Sequence, residues 1–567
     1  MHRSAVVPFA WQVIGASLLL ACSVPPALGA QERGIDTLRY ELTPVALLTP
    51  TDSTRDIRVR VSFRPRADGQ PTPLRLPSAW AGWSDLHRSI VGLEAASPNV
   101  VVEPTDNPAI WLARSSSAGE VAIGYRVHQD WAGPIRRPHY FRAIAQPDVA
   151  VINGQNALVI PDLASDAKVA VVVDWRGLPD GWRAATSFGA GAHSVGMVTE
   201  PELRDALFVA GAFRWRDTTV NGTPLTIAMF GNARVPDSMV VRMSASVLEA
   251  ERAFWSERTS APYLVVRVPV QSGLGGTAFT NATAMYSDSA SRPEGFGQTL
   301  AHEMFHAWLG RRLTIAGPEG VGKWFTEGFT DFYADRFALA LGIIDRDEFL
   351  VRVNRAIRDY YMSPVRNAPS DSVAKSYWTD AAMSRLPYQQ GYLIAGYLDA
   401  KARESSGGTS TLDSALARLL RLPRDGNAVT TDDIIAAFPA AAVTAVRRAL
   451  AELVRDGGTV PVLAGGFDRC ATVENRGLYL FDLGFDNAAS TRDRRVSGVR
   501  AGSAADSAGL RNGQVLRAWS WNSGDTDRPV TLTVADSGAT SRKVSYLARG
   551  QKMEIPQVVG GCRSLSR

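Results

Sequence analysis

The sequence predicts a multidomain α+β protein, with a β-sandwich-like domain at the N-terminus, a mostly helical middle and a small β-rich domain at the C-terminus. A chain of 567 residues exceeds what a single hydrophobic core supports, so it divides. In Ile57-Arg58-Val59-Arg60-Val61-Ser62-Phe63 apolar and polar residues alternate strictly, the period of a strand with one buried face. Similar runs at Val121 to Val127 and Val169 to Trp175 are separated by turns rich in Pro, Gly and Ser. From about residue 235 the period lengthens to that of helices.

Residues 1–30 have a basic start, an apolar middle and small residues near Ala30, the layout of a secretory leader. Export follows as the expectation, to a periplasm, a cell envelope or the outside. Leu19-Leu20-Ala21-Cys22 also resembles a bacterial lipoprotein box, in which cleavage after residue 21 would leave Cys22 lipidated. A membrane is a partner only in that case, the other reading being a cysteine lost with the leader. No later stretch is long and apolar enough to span a bilayer.

The β-sandwich-like domain is expected over 31–180 and a second, mostly helical domain over 181–455. In the latter, Val235-Pro236-Asp237 opens a helix with apolar residues at Met239, Val240, Met243, Val247, Ala250 and Phe254. Leu264 to Val268 reads as a strand, and the chain is mostly helical from there to Arg455. Gly457, Gly458, Gly465 and Gly466 mark a linker. Over 467–567, short strands at Gly477 to Phe485, Arg495 to Val499, Gln514 to Ser520 and Val530 to Val534 form the last domain. Cys470 and Cys562 bracket it; in an oxidising compartment they would pair, and two buried free thiols are the alternative.

An apolar fraction of 45% with 21% charged residues is ordinary for a globular protein. The net charge of +5 is spread over short clusters such as Arg136-Arg137, without an aromatic-interleaved basic tract, so nucleic acid is excluded as a partner.

The chemistry concentrates at His302-Glu303-Met304-Phe305-His306. The sequence has seven histidines, and these two are four residues apart between a helix start at Ser291-Arg292-Pro293-Glu294 and a terminator at Gly310, hence in mid-helix. Residues i and i+4 share a helix face, so both imidazoles reach one ion. Glu303 lies beside the pair, placed to take a proton from water. A third ligand follows in Lys323-Trp324-Phe325-Thr326-Glu327-Gly328: Glu327, on a second helix and flanked by aromatics. Asp331, four residues on, accepts the free ring N–H of a ligand histidine, most naturally His302. One zinc ion fits two imidazoles and a carboxylate with an open position. The bland readings are a metal-free amphipathic helix for the histidines and an exposed helical face for Glu327 and Asp331.

HExxH followed by Trp-x-x-Glu-Gly, with twenty residues between His306 and Glu327, resembles the gluzincin metallopeptidases, the clan of thermolysin and aminopeptidase N. The N-terminal β domain, Trp308 and the small C-terminal domain together resemble the glycyl aminopeptidase family, whose members commonly end in a PDZ domain. The resemblance implies a thermolysin-like catalytic domain and a PDZ-like tail. Pro387-Tyr388-Gln389-Gln390-Gly391, before a helix from Tyr392, is similar to the Tyr-x-x-Gly stretch whose tyrosine bonds the oxyanion, which implies that role for Tyr388; the alternative is a buried tyrosine packing at a helix start. Val496 to Leu510 resembles a PDZ stretch and places Leu483, Gly484 and Phe485 at the loop that binds a peptide's C-terminal carboxylate. The other reading is a PDZ fold that only packs on the enzyme.

One departure stands out. The family usually shows Gly-Gly-Leu-Glu-His, whose glutamate anchors a substrate's free amine, whereas this chain has Gly275-Gly276-Thr277-Ala278-Phe279. Gly275 and Gly276 still suit close approach by an extended substrate. Peptide or protein substrates are expected, and aminopeptidase and endopeptidase action both stay open. The rival is a peptide-binding or chaperone-like protein with a structural zinc site, against which an intact Glu303 argues.

Overall fold

The computed structural model describes residues 35–560 apart from 47–54, 66–69, 117–118, 164–166, 258–260, 319, 424–425, 427 and 537–539. The leader-like segment, Cys22 and Cys562 lie outside the described residues.

The strict alternation forms the strand Arg55–Phe63, with Ile57, Val59, Val61 and Phe63 buried and Arg58 and Arg60 exposed. It pairs with Thr37–Ala46 on one side and Val121–Val127 on the other, inside a six-stranded sheet. A four-stranded sheet, which contains Thr72–Arg75 and Ile110–Ser115, supplies Leu74 and Ala113 to the same core. Two sheets facing one apolar layer are the expected sandwich arrangement.

The β-rich part does not stop near residue 180. Arg183–Thr186 pairs with Leu207–Gly211, which pairs with Val149–Asn153, so a third sheet crosses that boundary and runs to Gly211. The stretch Gly177-Leu178-Pro179-Asp180-Gly181 has the composition of a linker but is a tight turn, with both glycines at positive φ.

A five-stranded sheet follows, in the order Arg214–Val220, Thr223–Met229, Tyr263–Pro269, Ala282–Ser287, Leu274–Phe279. Its centre, Tyr263–Pro269, is a continuous apolar run because both faces are covered. Leu264, Val266 and Val268 pack on Val149, Val151, Leu207 and Val209 of the third sheet. Tyr263 and Val265 face the helices Asp237–Phe254 and Pro293–Phe305 through Val247, Leu248, Phe296, Leu300 and Met304. The expectation of helix after Val268 overlooked Leu274–Phe279 and Ala282–Ser287, an antiparallel pair that makes Leu274–Phe279 the sheet's edge. Its glycines conceal the strand pattern.

The helices Phe329–Ala340, Arg346–Tyr361, Ala381–Ser405, Leu412–Arg421 and Ala440–Leu450 share an aromatic-rich core. Ala381–Ser405 begins eleven residues before the expected start at Tyr392, because the Asp380 carboxylate accepts the N–H groups of Ala382 and Met383. Pro387 is accommodated inside the helix.

In the C-terminal unit Ala471–Phe481 pairs with Arg549–Gly560, and Val515–Ser520, Pro529–Ala535 and Arg542–Leu547 form a second sheet over a separate small core. The glycine-rich segment before it is packed, not a free linker: a Cβ on Gly466 would meet the Gly396 carbonyl oxygen at 1.9 Å, and Phe467 stacks near-parallel to Tyr392. Asn354 exchanges two hydrogen bonds with the Val558 backbone, and Ile555 and Val558 enter the helical core, so the unit is docked. Cys470 is disulfide-bonded. Among the described residues no helix is long and apolar enough to cross a membrane.

Candidate active site

The helix Pro293–Phe305 starts where Pro and an N-terminal acid place it and carries His302 in its last turn. His306 is the residue that caps this helix, not a mid-helix position as expected. Its φ of −61° and ψ of −15° are still helical, so the i, i+4 geometry survives, and Gly310 at φ +105° turns the chain away. The two Nε2 atoms stand 3.1 Å apart.

Each ring is oriented through its other nitrogen. His302 Nδ1 lies 2.8 Å from Asp331 Oδ1, the partner expected from sequence, and His306 Nδ1 lies 2.9 Å from the Leu309 carbonyl oxygen. A carboxylate and a carbonyl accept only, so both Nδ1 atoms donate, and Nε2 is the nitrogen each ring would offer to a metal once it carries no proton.

Glu327 comes from a π turn, Trp324–Gly328, which runs directly into the helix Phe329–Ala340. Such single turns recur at functional sites because they re-aim one side chain. Glu327 Oε2 lies 3.5 Å from His302 Nε2 and 3.4 Å from His306 Nε2. Its other oxygen accepts from Lys323 Nζ at 2.9 Å. Burial would raise this carboxyl's pKa, but Lys323 and His306 outweigh it and hold the group well below the usual range. Two imidazole nitrogens and a carboxylate oxygen thus converge on one point, where a cation could take the place of the proton that His302 keeps in the metal-free protein. The edges of 3.1 to 3.5 Å match the roughly 3.3 Å edge of a tetrahedron with zinc bonds of about 2.0–2.1 Å. The residues therefore fit zinc, and His302, His306 and Glu327 are the group that could hold it.

Burial would deprotonate His302, but Asp331, followed by Glu327 and Glu303, hold its proton well above the ordinary range in the metal-free protein. Glu303 is itself shifted upward, by burial first, with His302 and His306 opposing. It lines a cavity of about 550 Å³ together with the two histidines, Glu327 and Tyr388. Opposite stands the edge strand, and a Cβ on Gly276 would fall 2.3 Å from Glu303 Cγ and 2.9 Å from its Oε1. Gly276 thus faces Glu303 across the cavity. Gly275 faces the other way, 3.1 Å from the Tyr140 ring by the same measure, because neighbouring strand residues point to opposite faces.

The glycines of Trp-x-x-Glu-Gly and Tyr-x-x-Gly have a common purpose. A Cβ on Gly328 would sit 2.3 Å from the Gly391 Cα, and one on Gly391 would sit 1.9 Å from the Trp324 carbonyl oxygen. This near-contact of backbones brings Tyr388, one turn before Gly391, to the same cavity as Glu327. The Tyr388 ring is near-parallel to His302, with centroids 6.2 Å apart. Its phenol is hydrogen-bonded with Tyr377 and pushed well above its usual range by burial and then by Glu327, so it stays protonated and able to donate.

Sequence reasoning missed several groups. Lys323 had a readable signal, four residues before Glu327 on the same turn. Tyr377, Trp378, Trp80 and the pair Arg311–Asp205 had none, since they arrive from distant segments. Arg311 donates to Asp205 at 2.6 Å and to the Ala278 carbonyl at 2.8 Å, and so pins the end of the edge strand.

The Leu483-Gly484-Phe485 loop does not line this cavity. Its Gly484 N–H donates to Asp482, Phe485 is buried, and the chain continues into the helix Asn487–Asp493. The strand edge that a captured peptide needs is therefore missing after this loop among the described residues, and the expected carboxylate-binding role has no geometric support here.

A buried and a partly buried imidazole with a buried carboxylate, beside the Glu303 carboxylate and a cavity, form a candidate zinc site. Residues 295–394, which span all of these groups but the edge strand, match the family described as M61 glycyl aminopeptidase. The fold is similar to that of an aminopeptidase N family protein from Idiomarina loihiensis, with a TM-score of 0.67 and 17% identity over 90% of this chain and 96% of that one. An M1 zinc metallopeptidase from Deinococcus radiodurans aligns with a TM-score of 0.48 and 18% identity over 77% of this chain and 98% of that one. No curated protein matches the chain.

Proposed function

We propose that the protein is a zinc-dependent peptidase that hydrolyses peptide bonds in the cavity beside Glu303. The observation that carries this reading is the convergence of His302 Nε2, His306 Nε2 and Glu327 Oε2 within 3.5 Å of one another next to an ionisable carboxylate that none of them uses. Zinc, when bound, supplies Lewis-acid polarisation of the scissile carbonyl and lowers the pKa of water. Glu303 takes the proton of the attacking water and delivers it to the departing amine. Burial raises its pKa above the ordinary carboxylate value, which makes the ionised group a stronger base toward water. Tyr388 donates to the oxygen on which negative charge develops. Gly276 offers the substrate an unobstructed backbone edge. A structural zinc site has no need of Glu303 or of an adjoining cavity, which disfavours the purely binding alternative.

The leader-like residues 1–30 support export. The C-terminal unit is read as a PDZ-like domain with a structural role, consistent with its docking through Asn354 and Val558.

The deciding experiment compares wild type with Glu303→Gln for zinc content and for hydrolysis of a mixed peptide pool. The variant should retain one zinc per chain and lose about 10²- to 10⁴-fold in kcat. A wild-type protein that binds zinc and cleaves no peptide of the pool overturns the peptidase reading.

A further inference from the structure

The cavity beside Glu303 has a wall that comes from the N-terminal β region. Trp80-Ala81-Gly82-Trp83 is a two-residue reversal closed by reciprocal bonds, Trp80 N–H to the Trp83 carbonyl and Trp83 N–H to the Trp80 carbonyl, each 2.9 Å. Both central residues take positive φ, 51° at Ala81 and 83° at Gly82, the geometry of the tightest hairpin turns. The base of the turn is fixed. Trp80 packs edge-on against Phe141 at 5.2 Å and lies 6.2 Å from Phe279, the last residue of the edge strand. The Arg142 guanidinium lies over the Trp83 ring at 4.6 Å and is tied to Asp130 and Asp85.

The tip reaches the other side of the cavity. A Cβ built on Gly82 would stand 3.1 Å from Cε3 of Trp378, so the bare glycine backbone rests on the indole. Trp378 precedes the helix Ala381–Ser405, is 50% exposed, and adjoins Tyr377, which bonds Tyr388. Trp80, Ala81 and Trp378 all line the cavity. The β region and the helical region thus meet over it, with a rigid turn on one side and a half-exposed ring on the other.

We infer that the Gly82–Trp378 contact is a clasp that limits how much chain a substrate can carry on the Phe279 side of the scissile bond. This rests on the peptidase reading above. A substrate added antiparallel to the edge strand at Gly276 points its N-terminal end toward Phe279. There Trp80 blocks the way and Arg311 already occupies the Ala278 carbonyl. A short N-terminal stub fits under the closed clasp, and a longer one requires Trp378 to leave Gly82. Trp378 therefore sets how many residues can precede the scissile bond. A cavity of about 550 Å³ lies within the range of about 300–1,000 Å³ typical of small-ligand clefts, in keeping with a short segment.

The test uses two peptide series built on one cleavable core, extended stepwise at the N-terminus or at the C-terminus. For the wild type, N-terminal extension should lower kcat/KM about tenfold or more while C-terminal extension does not. Trp378→Ala should raise the ratio of extended to short substrate several-fold, and Trp378→Phe, which keeps a ring on Gly82, should hold it near the wild-type value. Equal use of both series by the wild type, or an unchanged ratio in Trp378→Ala, overturns the clasp. Calorimetric binding of the same peptides to Glu303→Gln separates this failure from that of the peptidase reading. Length-dependent binding relieved by Trp378→Ala without turnover in the wild type would leave the clasp standing and remove the peptidase, and length-independent binding removes the clasp.

Discussion

Replacing Gly276 by alanine isolates the placement of Glu303 from the rest of the site. The added methyl carbon would lie 2.3 Å from Glu303 Cγ and 2.8 Å from its Cδ, where carbon atoms in contact need about 3.5–4.0 Å. The strand has little freedom to retreat: Gly276 pairs with Met285 inside the sheet, and two residues on Arg311 holds the Ala278 carbonyl. The glutamate must therefore give way by more than about 1 Å, and a misplacement of that size costs on the order of 100-fold in rate, or about 2.7 kcal/mol of barrier. The three atoms nearest the new methyl all belong to Glu303, so zinc content should stay at the wild-type level while kcat falls. Zinc analysis, a thermal melt and steady-state hydrolysis decide the matter together. Gly275→Ala is the control, because its methyl points at Tyr140, away from Glu303. Wild-type turnover in Gly276→Ala, or loss of metal in place of loss of rate, would refute the geometry argued for the base.

Asp331→Asn removes the carboxylate that orients His302 at 2.8 Å, and zinc affinity should drop by about 10- to 100-fold in a chelator competition; unchanged affinity would mean that Asp331 has no part in holding the ring. Glu251, on the helix Asp237–Phe254, is fully buried with neither carboxylate oxygen hydrogen-bonded among the described residues, and burial pushes its pKa well above the usual value, slightly offset by His302. A raised folded-state pKa means that stability is fully present below the unfolded value of about 4.3 and is lost as pH rises above it, by about 1.4 kcal/mol per unit and at most about 3.7 kcal/mol at pH 7. Glu251→Gln has no such proton to retain, so in metal-free protein the variant should gain on wild type with each step from pH 5 to pH 7 in parallel urea titrations, and a gap that is constant with pH would count against a buried neutral carboxyl.

How much of this was legible depended on the range of the interaction. The spacing of His302 and His306 is a property of one helix, and Asp331 follows Glu327 within one turn, so local geometry alone implied the pairings found. The same local reasoning misplaced His306 in mid-helix, because the chain leaves the helix at that residue and only its dihedrals preserve the register. Strands were readable where alternation is strict, as at Ile57 to Phe63, and unreadable at Leu274 to Phe279, where glycine removes the side chains that alternation is read from. Glycine was misread in both directions. Gly391 suggested a break before a helix, yet it lies within one, where a glycine lets two backbones touch, and Gly465-Gly466 suggested a linker, but Gly466 lies in close contact with Gly396.

The sequence by itself determined the candidate metal donors, the carboxylate beside them and the succession of β-rich, helical and β-rich parts, since each follows from residue type and short-range period. The tertiary structure alone decided which backbone edge confronts Glu303, that Gly328 and Gly391 meet so as to bring Tyr388 to Glu327, and that a turn at Trp80 to Trp83 reaches Trp378 across the cavity. Those contacts join segments tens to hundreds of residues apart. No period or spacing encodes them, because they exist only once the hydrophobic cores on both sides have fixed where each backbone runs.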